Sequence, residues 1–265
     1  MWMQILKAAG FSVIGEAFPQ DWGETIRDAN PHGFYESILR HGIYYKTNPD
    51  PETRSYLLPE ATRLHAVKVF IPGVVRSERA YLHRVIVNVR PWREYVRSVE
   101  QMRRLEQDAR GLDELAPEPP LALEWWENNF KLIGDLAIRQ YPCHVQCFDA
   151  VMQDPRGVIG RVLAWIGAGG DLDAAAAMVK PRPPRAQRPE LEVDELVAPE
   201  VAQVFDEYYA AVEDGGGLSP ALIKRMNETN AALAPEIEAH KQRLAKEVAA
   251  WRVRHEPRGP FAPLE

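Results

Sequence analysis

The chain has 265 residues, of which 46% are hydrophobic, enough to build the core of one α/β domain, alone or with an appendage. Its formal net charge of -6 argues against nonspecific binding to nucleic acids or anionic membranes. No segment approaches the roughly 18 consecutive apolar residues that a membrane-spanning helix needs. We therefore expect neither a nucleic acid nor a membrane as partner.

The two cysteines, Cys143 and Cys147, fall on the same face of one predicted strand. Four residues of strand span about 13 Å, which is too far for a disulfide. The N-terminus also lacks the charged region and apolar core of a signal peptide. Reduced thiols and the missing signal together predict a cytoplasmic protein.

The hydrophobic pattern along residues 1–180 predicts strands that alternate with helices. The predicted strands are Ser12–Gly15, Ala66–Phe70, Arg84–Val89 and Cys143–Phe148. The predicted helices cover 1–9, Trp92–Ala109, Leu121–Gln140, Pro155–Ile166 and Leu172–Val179. This order is typical of an α/β fold with a doubly wound parallel sheet and helices on both faces.

The composition changes after Lys180, where a basic, proline-rich segment begins. We expect residues 181–198 to form an extended linker between the α/β domain, 1–180, and a helical C-terminal extension, 199–265.

The extension itself is predicted to contain three helices. The first covers Pro199–Val212, and Pro235 is expected to divide the rest into helices over about 219–233 and 235–254. An apolar face on these helices either packs on the same chain or joins a partner, such as a second copy in a homo-oligomer.

A short apolar strand, Val85–Val89, runs directly into Arg90 and then into a predicted helix. Arg90 therefore lies at the carboxyl end of a strand, where ligands bind in open α/β sheets. Ser98 follows about two helical turns later. A guanidinium fork and a hydroxyl at such a place suit a phosphate group. The alternative is an ordinary arginine at a helix start and a solvated serine.

Four further segments occur in an order that resembles one known family. In chain order they are Met3–Gly10, Asn30-Pro31-His32-Gly33-Phe34-Tyr35-Glu36, Val67-Lys68-Val69 and Asp154–Gly167. Together with the spacing of Arg90 and Ser98, they are similar to bacterial sulfotransferases that use the sulfonate donor PAPS (3′-phosphoadenosine 5′-phosphosulfate). The resemblance covers roughly residues 1–180 and implies a fold of the P-loop type.

The resemblance implies roles for five residues. Glu36 would be the catalytic base, and Lys68 would stabilise charge on the migrating sulfonate. Arg90 and Ser98 would clamp the 3′-phosphate of PAPS, and Arg185 in the late basic segment would touch a phosphate. The enzyme would transfer a sulfonate from PAPS, its only cofactor, to a hydroxyl or amine of a small-molecule or carbohydrate acceptor, without a metal.

The chain departs from this family in two places. The position of the histidine base in some members is Phe70 here, which favours Glu36 and leaves His32 and His41 as reserve candidates. The family's first strand and phosphosulfate-binding loop normally precede the first helix, whereas this chain starts at Met1, inside that helix. The alternative function is therefore a catalytically degenerate protein that acts in binding or assembly through its C-terminal helices. A phosphate-loop kinase is disfavoured, because no Walker-type motif occurs.

Overall fold

The computed structural model describes residues 1–19, 22–63, 65–167, 169–180 and 197–255. The strands are β1 (Ser12–Ile14), β2 (His65–Val67), β3 (Val85–Val89) and β4 (Cys143–Cys147). The helices are α1 (Trp2–Ala8), α2 (Trp22–Thr25), α3 (Ile71–Arg76), α4 (Trp92–Arg110), α5 (Leu121–Arg139), α6 (Phe148–Gln153), α7 (Pro155–Ile166), α8 (Leu172–Ala177), α9 (Pro199–Asp214) and α10 (Pro220–His255). The mixed α/β class predicted from the sequence is confirmed.

The strands form two small parallel sheets instead of the single doubly wound sheet that the pattern predicted. β1 pairs with β2, with Ser12 opposite His65, and β3 pairs with β4, with Val85 opposite Cys143. No ladder joins β2 to β3 in the described part of the chain. The predicted strand Ala66–Phe70 is also too long at its carboxyl end, because β2 stops at Val67.

Helices cover both faces of β3, as the alternating side chains of a strand require. Val87 and Val89 face a core built with α4, α5, α9 and the first half of α10. Ile86 faces a second core, which α1, α6, α7 and α8 complete. Ala66 of β2 belongs to this second core too. The two sheets therefore share one helical layer although no hydrogen bonds join them.

The C-terminal helix α9 is part of the main core. Its Phe205 is fully buried and stacks on Trp126 of α5, with ring centroids 4.8 Å apart. The buried Tyr209 hydroxyl donates a 2.7 Å hydrogen bond to Asp149 at the start of α6. A buried aromatic side chain removes a large apolar area from water and so contributes strongly to the free energy of folding. Through Phe205, helix α9 therefore contributes directly to the stability of the α/β unit.

Helix α10 runs without a break through Pro235, so the predicted division into two helices is wrong. Proline removes one intrahelical hydrogen bond and normally kinks or ends a helix. Here Pro235 is exposed, so water can satisfy the freed carbonyl, while Leu233 and Ile237 on either side are buried in the main core. Packing of these two neighbours outweighs the local penalty. The predicted linker residues 181–196 lie outside the described part.

We expect Phe205→Ala to lower the free energy of unfolding by about 3–5 kcal/mol, the usual range for removing a buried phenylalanine. Urea denaturation followed by circular dichroism would measure this. Ile138→Ala on α5 is the control, since Ile138 is 83% exposed and its loss should change stability by less than about 0.5 kcal/mol. Equal stability of the two variants would contradict the packing of α9 in this core.

Candidate functional site

The candidate site lies where β1, β2 and β3 end. The chain leaves β1 toward Glu16, which exchanges two backbone hydrogen bonds of 3.0 and 3.1 Å with Glu36. Lys68 is the first residue after β2, and Arg90 is the first after β3. Three of the residues that the resemblance selected therefore sit at strand ends on the same side of the molecule.

The segment from Asn30 to Glu36 is fastened to helix α1 by a buried amide. Gln4 donates hydrogen bonds to the Gly33 carbonyl at 2.9 Å and to the Asn30 side chain at 2.8 Å. Gly33 has a φ of 94°, and a Cβ there would come within 2.8 Å of Ala17. A glycine is therefore required at this point of the loop.

A second close approach places Glu36 against β1. Gly15 has a φ of 125°, and a Cβ on it would lie 2.9 Å from the backbone of Tyr35 and Glu36. Only a residue without a side chain allows the two segments to pair at this distance. The loop therefore delivers the Glu36 side chain to a fixed position beside the end of β2.

The Glu36 carboxylate is 4% exposed and sits between two cations. One oxygen accepts a 3.1 Å hydrogen bond from Arg40, and the other is paired with the Lys68 ammonium. The structure thus brings Glu36 and Lys68 together, as the resemblance implied. To accept a proton from a substrate, Glu36 would have to exchange one of these cations for the acceptor hydroxyl.

Arg40 was missed in the sequence analysis. The signal available was its spacing of four residues from Glu36, which often brings opposite charges into contact on a helix. The segment is instead a single 3₁₀ turn, Ile38–His41. Opposite charge near a buried carboxylate offsets its cost of desolvation, so Arg40 and Lys68 explain why Glu36 can be buried.

The α-amino group of Met1 lies between the ends of β2 and β3. Burial, together with the nearby charges of Lys68 and Arg90, lowers its pKa to about 5. The first turn of α1 is held there by a 3.4 Å hydrogen bond from the Trp2 indole to Asn88 of β3. Lys68 and Arg90 therefore converge on one place, which favours a bound anion.

The residues predicted to bind the nucleotide, Arg90, Ser98 and Arg185, differ in their surroundings. The Arg90 guanidinium lies 4.4 Å from the centre of the Phe148 ring, and its carbonyl accepts a 2.9 Å hydrogen bond from Trp125. Ser98 is exposed on the second turn of α4. Arg185 lies outside the described residues.

His41, a reserve candidate for the catalytic base, is exposed beside the Glu36–Lys68 ion pair. Partial burial lowers its pKa, and Arg40 and Arg76 lower the pKa further, while Glu36 opposes them. Arg40 donates a 3.2 Å hydrogen bond to Nε2 of the ring. At neutral pH His41 is therefore an uncharged imidazole that adds no positive charge to the site.

Neither a metal site nor a membrane span is found in the described ranges. Within them, no three His, Cys, Asp or Glu side chains are grouped so that they could hold a metal ion. No helix there combines the length and the apolar character needed to cross a bilayer. Comparisons of the chain with protein families, curated proteins and solved structures give no match.

In a chain that begins at Met1, stability should fall as the pH decreases from 8 to 5. The amine has a pKa of about 5 in the folded state, against about 8 in an unfolded chain. Between these values the unfolded state binds a proton that the folded state excludes, so acid favours unfolding.

Urea midpoints at pH 8, 6.5 and 5 would measure this dependence. A chain acetylated at the α-amino group is the control, because it has no proton to gain there and should lose this component of the slope. The same slope with and without the acetyl group would show that the amine is not buried between the strand ends.

Proposed function

We propose that the chain is a sulfotransferase-like protein whose site at the carboxyl ends of β2 and β3 holds the nucleotide of PAPS, and that this site, once a phosphosulfate cradle completes it, transfers the sulfonate to a hydroxyl or amine of a small-molecule or carbohydrate acceptor. The observation that carries the proposal is the convergence of Lys68, at the end of β2, and Arg90, at the end of β3, with Glu36 paired to Lys68. Crevices of this kind bind nucleotides in α/β proteins.

The same proposal includes a doubly wound parallel sheet of the P-loop type. The two parallel sheets share a helical layer, yet within the described residues β2 and β3 belong to different sheets and are not hydrogen-bonded to each other. One further parallel strand between them would satisfy both edges and give a doubly wound sheet of the P-loop type. Unpaired strand edges are costly when buried, which is why such a strand would bind there.

The chemistry follows from the charges around Glu36. As the acceptor oxygen forms its bond to sulfur, the bond between sulfur and the leaving phosphate oxygen breaks, and its electron pair leaves with adenosine 3′,5′-bisphosphate. Glu36 takes the proton of the acceptor hydroxyl. Lys68 balances negative charge on the sulfonate oxygens, and Arg90 fixes the nucleotide by its 3′-phosphate, with help from Ser98.

One observation favours the alternative, a sulfotransferase-like protein that has lost catalysis and acts in binding or assembly. Both oxygens of Glu36 are engaged by cations, so the carboxylate also fits a purely structural role. Assembly through the C-terminal helices has less support, because Leu222, Met226 and the residues around Pro235 bury their apolar side chains in this chain's own core.

The nucleotide part of the proposal predicts a preference that calorimetry can measure. The chain should bind adenosine 3′,5′-bisphosphate more tightly than AMP, because only the former carries the 3′-phosphate. Arg90→Ala should remove about 10- to 100-fold of the affinity for the bisphosphate and leave that for AMP nearly unchanged, as expected for a charge-assisted hydrogen bond.

Arg104→Ala is the matched control, since Arg104 is exposed further along the same helix. It removes the same charge and should leave the preference intact. Ser98→Ala should weaken bisphosphate binding by roughly tenfold, the lower end of the effect of losing one hydrogen bond to a charged group. Equal affinity of the unmodified chain for the two nucleotides would remove Arg90 and Ser98 from the site.

Turnover separates the two candidate functions. The family's cradle for the 5′-phosphosulfate is not recognisable in these 265 residues, and loss of even one preorganised donor costs about 10²–10³ in rate. We expect no turnover above background when this chain is assayed with PAPS and varied acceptors. Fusing a family-type first strand and loop ahead of Met1 should restore donor binding.

A fused chain that binds PAPS and remains inactive would favour the binding protein. Robust turnover by the 265-residue chain alone would show that another segment supplies the cradle, and the active site would then lie elsewhere.

A further inference from the structure

An apolar surface lies directly beside the Glu36–Lys68 pair. Phe70 is 42% exposed and Ile38 is 38% exposed, although large hydrophobic side chains are normally buried. His41 packs edge-on against the Phe70 ring, with ring centroids 6.3 Å apart. Ile38, His41 and Phe70 together form the Phe70 surface.

The backbone holds this surface in a fixed shape. The amide of Phe70 donates a 2.9 Å hydrogen bond to the Arg40 carbonyl, so the 3₁₀ turn and the start of α3 are joined. Gly42 has a φ of 114°, and a Cβ there would lie 2.6 Å from the Gly73 carbonyl oxygen. The close contact between these two glycines leaves the turn little freedom to move and cover Phe70.

Cations surround the Phe70 surface. The Lys68 ammonium lies 5.4 Å from the centre of the Phe70 ring. The positive charges of Arg40 and of the exposed Arg76 are near enough to His41 to lower the pKa of its ring. The carboxylate in this group, Glu36, is buried and already paired. The local excess of positive charge contrasts with the net charge of -6 of the whole chain.

We infer that the Phe70 surface binds an aromatic acid, a planar apolar ring that carries a carboxylate, and that this is the acceptor class of the site. The ring would stack on Phe70 and Ile38, and the carboxylate would meet Arg76. A hydroxyl on the far side of such a ring would face Glu36 and Lys68. The acceptor role rests on the proposed function, whereas the binding preference rests only on this surface.

A carbohydrate fits the same surface less well. A neutral sugar can place a C–H face of its ring on Phe70, but it is not aromatic and offers no negative charge to Arg76. Aromatic rings prefer other aromatic rings in stacked or edge-on contact, and cations near an exposed ring favour an anionic partner over a neutral one of the same shape.

Binding of four simple probes, measured by calorimetry without nucleotide, tests the inference. The probes are 4-hydroxybenzoate, phenol, cyclohexanecarboxylate and N-acetylglucosamine. We expect 4-hydroxybenzoate to bind at least about fivefold more tightly than either phenol, which lacks the charge, or cyclohexanecarboxylate, which lacks the aromatic ring. N-acetylglucosamine should bind most weakly.

Two variants connect this preference to the surface. Phe70→Ala should reduce the affinity for 4-hydroxybenzoate about five- to tenfold, and Arg76→Ala should reduce it about threefold while leaving phenol unaffected. Ile138→Ala and Lys246→Ala are controls for the loss of an exposed apolar side chain and an exposed positive charge elsewhere. Phe70→Leu, which keeps an apolar side chain, checks that any loss comes from the ring.

The outcomes separate this inference from the proposed function. Tighter binding of N-acetylglucosamine than of 4-hydroxybenzoate, or unchanged affinity in Phe70→Ala, would overturn the inference even if adenosine 3′,5′-bisphosphate binds as proposed. Phe70-dependent binding of the aromatic acid without any bisphosphate binding would support the surface and overturn the sulfotransferase.

Discussion

A carboxylate can be buried only where charge or hydrogen bonds replace the water that it loses. Glu36 meets this requirement through Arg40 and Lys68, and the arrangement around it depends on that pairing. Lys68 must stand at the end of β2, so β2 has to lie beside the Asn30–Glu36 loop. Arg40 must turn back toward the same carboxylate, which folds the chain into the 3₁₀ turn that leaves Phe70 exposed.

The position of Glu36 also depends on the hydrogen bonds that attach the Asn30–Glu36 loop to α1. Without the Gln4 amide, the Gly33 carbonyl would lose a buried partner, and the loop would not hold Glu36 under two cations. Gly15 and Gly33 make the approach sterically feasible. Two ion pairs, one amide and two glycines thus define the geometry of the candidate site, while the large aromatic core around Trp126 stabilises the unit that carries it.

Local patterns predicted local features well. The apolar run of β3, the position of Arg90 directly after it, and the start of α7 at Pro155 all follow from side-chain periodicity and proline preferences, and they are confirmed. The resemblance assigned Glu36 and Lys68 to one site but did not predict the ion pair between them, and no local pattern could, since the two residues are 32 positions apart in sequence. Their chemical roles stay predictions.

Features that depend on distant residues could not be predicted in this way. Which strand neighbours which is decided by packing across the whole chain, so nothing in β2 or β3 alone shows that each pairs with a different partner. Pro235 is a second case. Its local signal is strong, yet Leu233 and Ile237 are buried against helices that lie far away in sequence, and their packing keeps α10 intact.

The length of α10 has a mechanical consequence. Its 36 residues extend over about 54 Å at 1.5 Å per residue. Near its middle Lys241 is paired with Glu127 of α5, and near its end Arg254 lies 3.3 Å from Glu114, just past α4. The second half of α10 is thus attached by ion pairs to α5 and to the segment that follows α4. Ion pairs near the surface contribute little individually, so the far half of α10 is held less firmly than the half whose Leu222, Met226, Leu233 and Ile237 are buried in the main core.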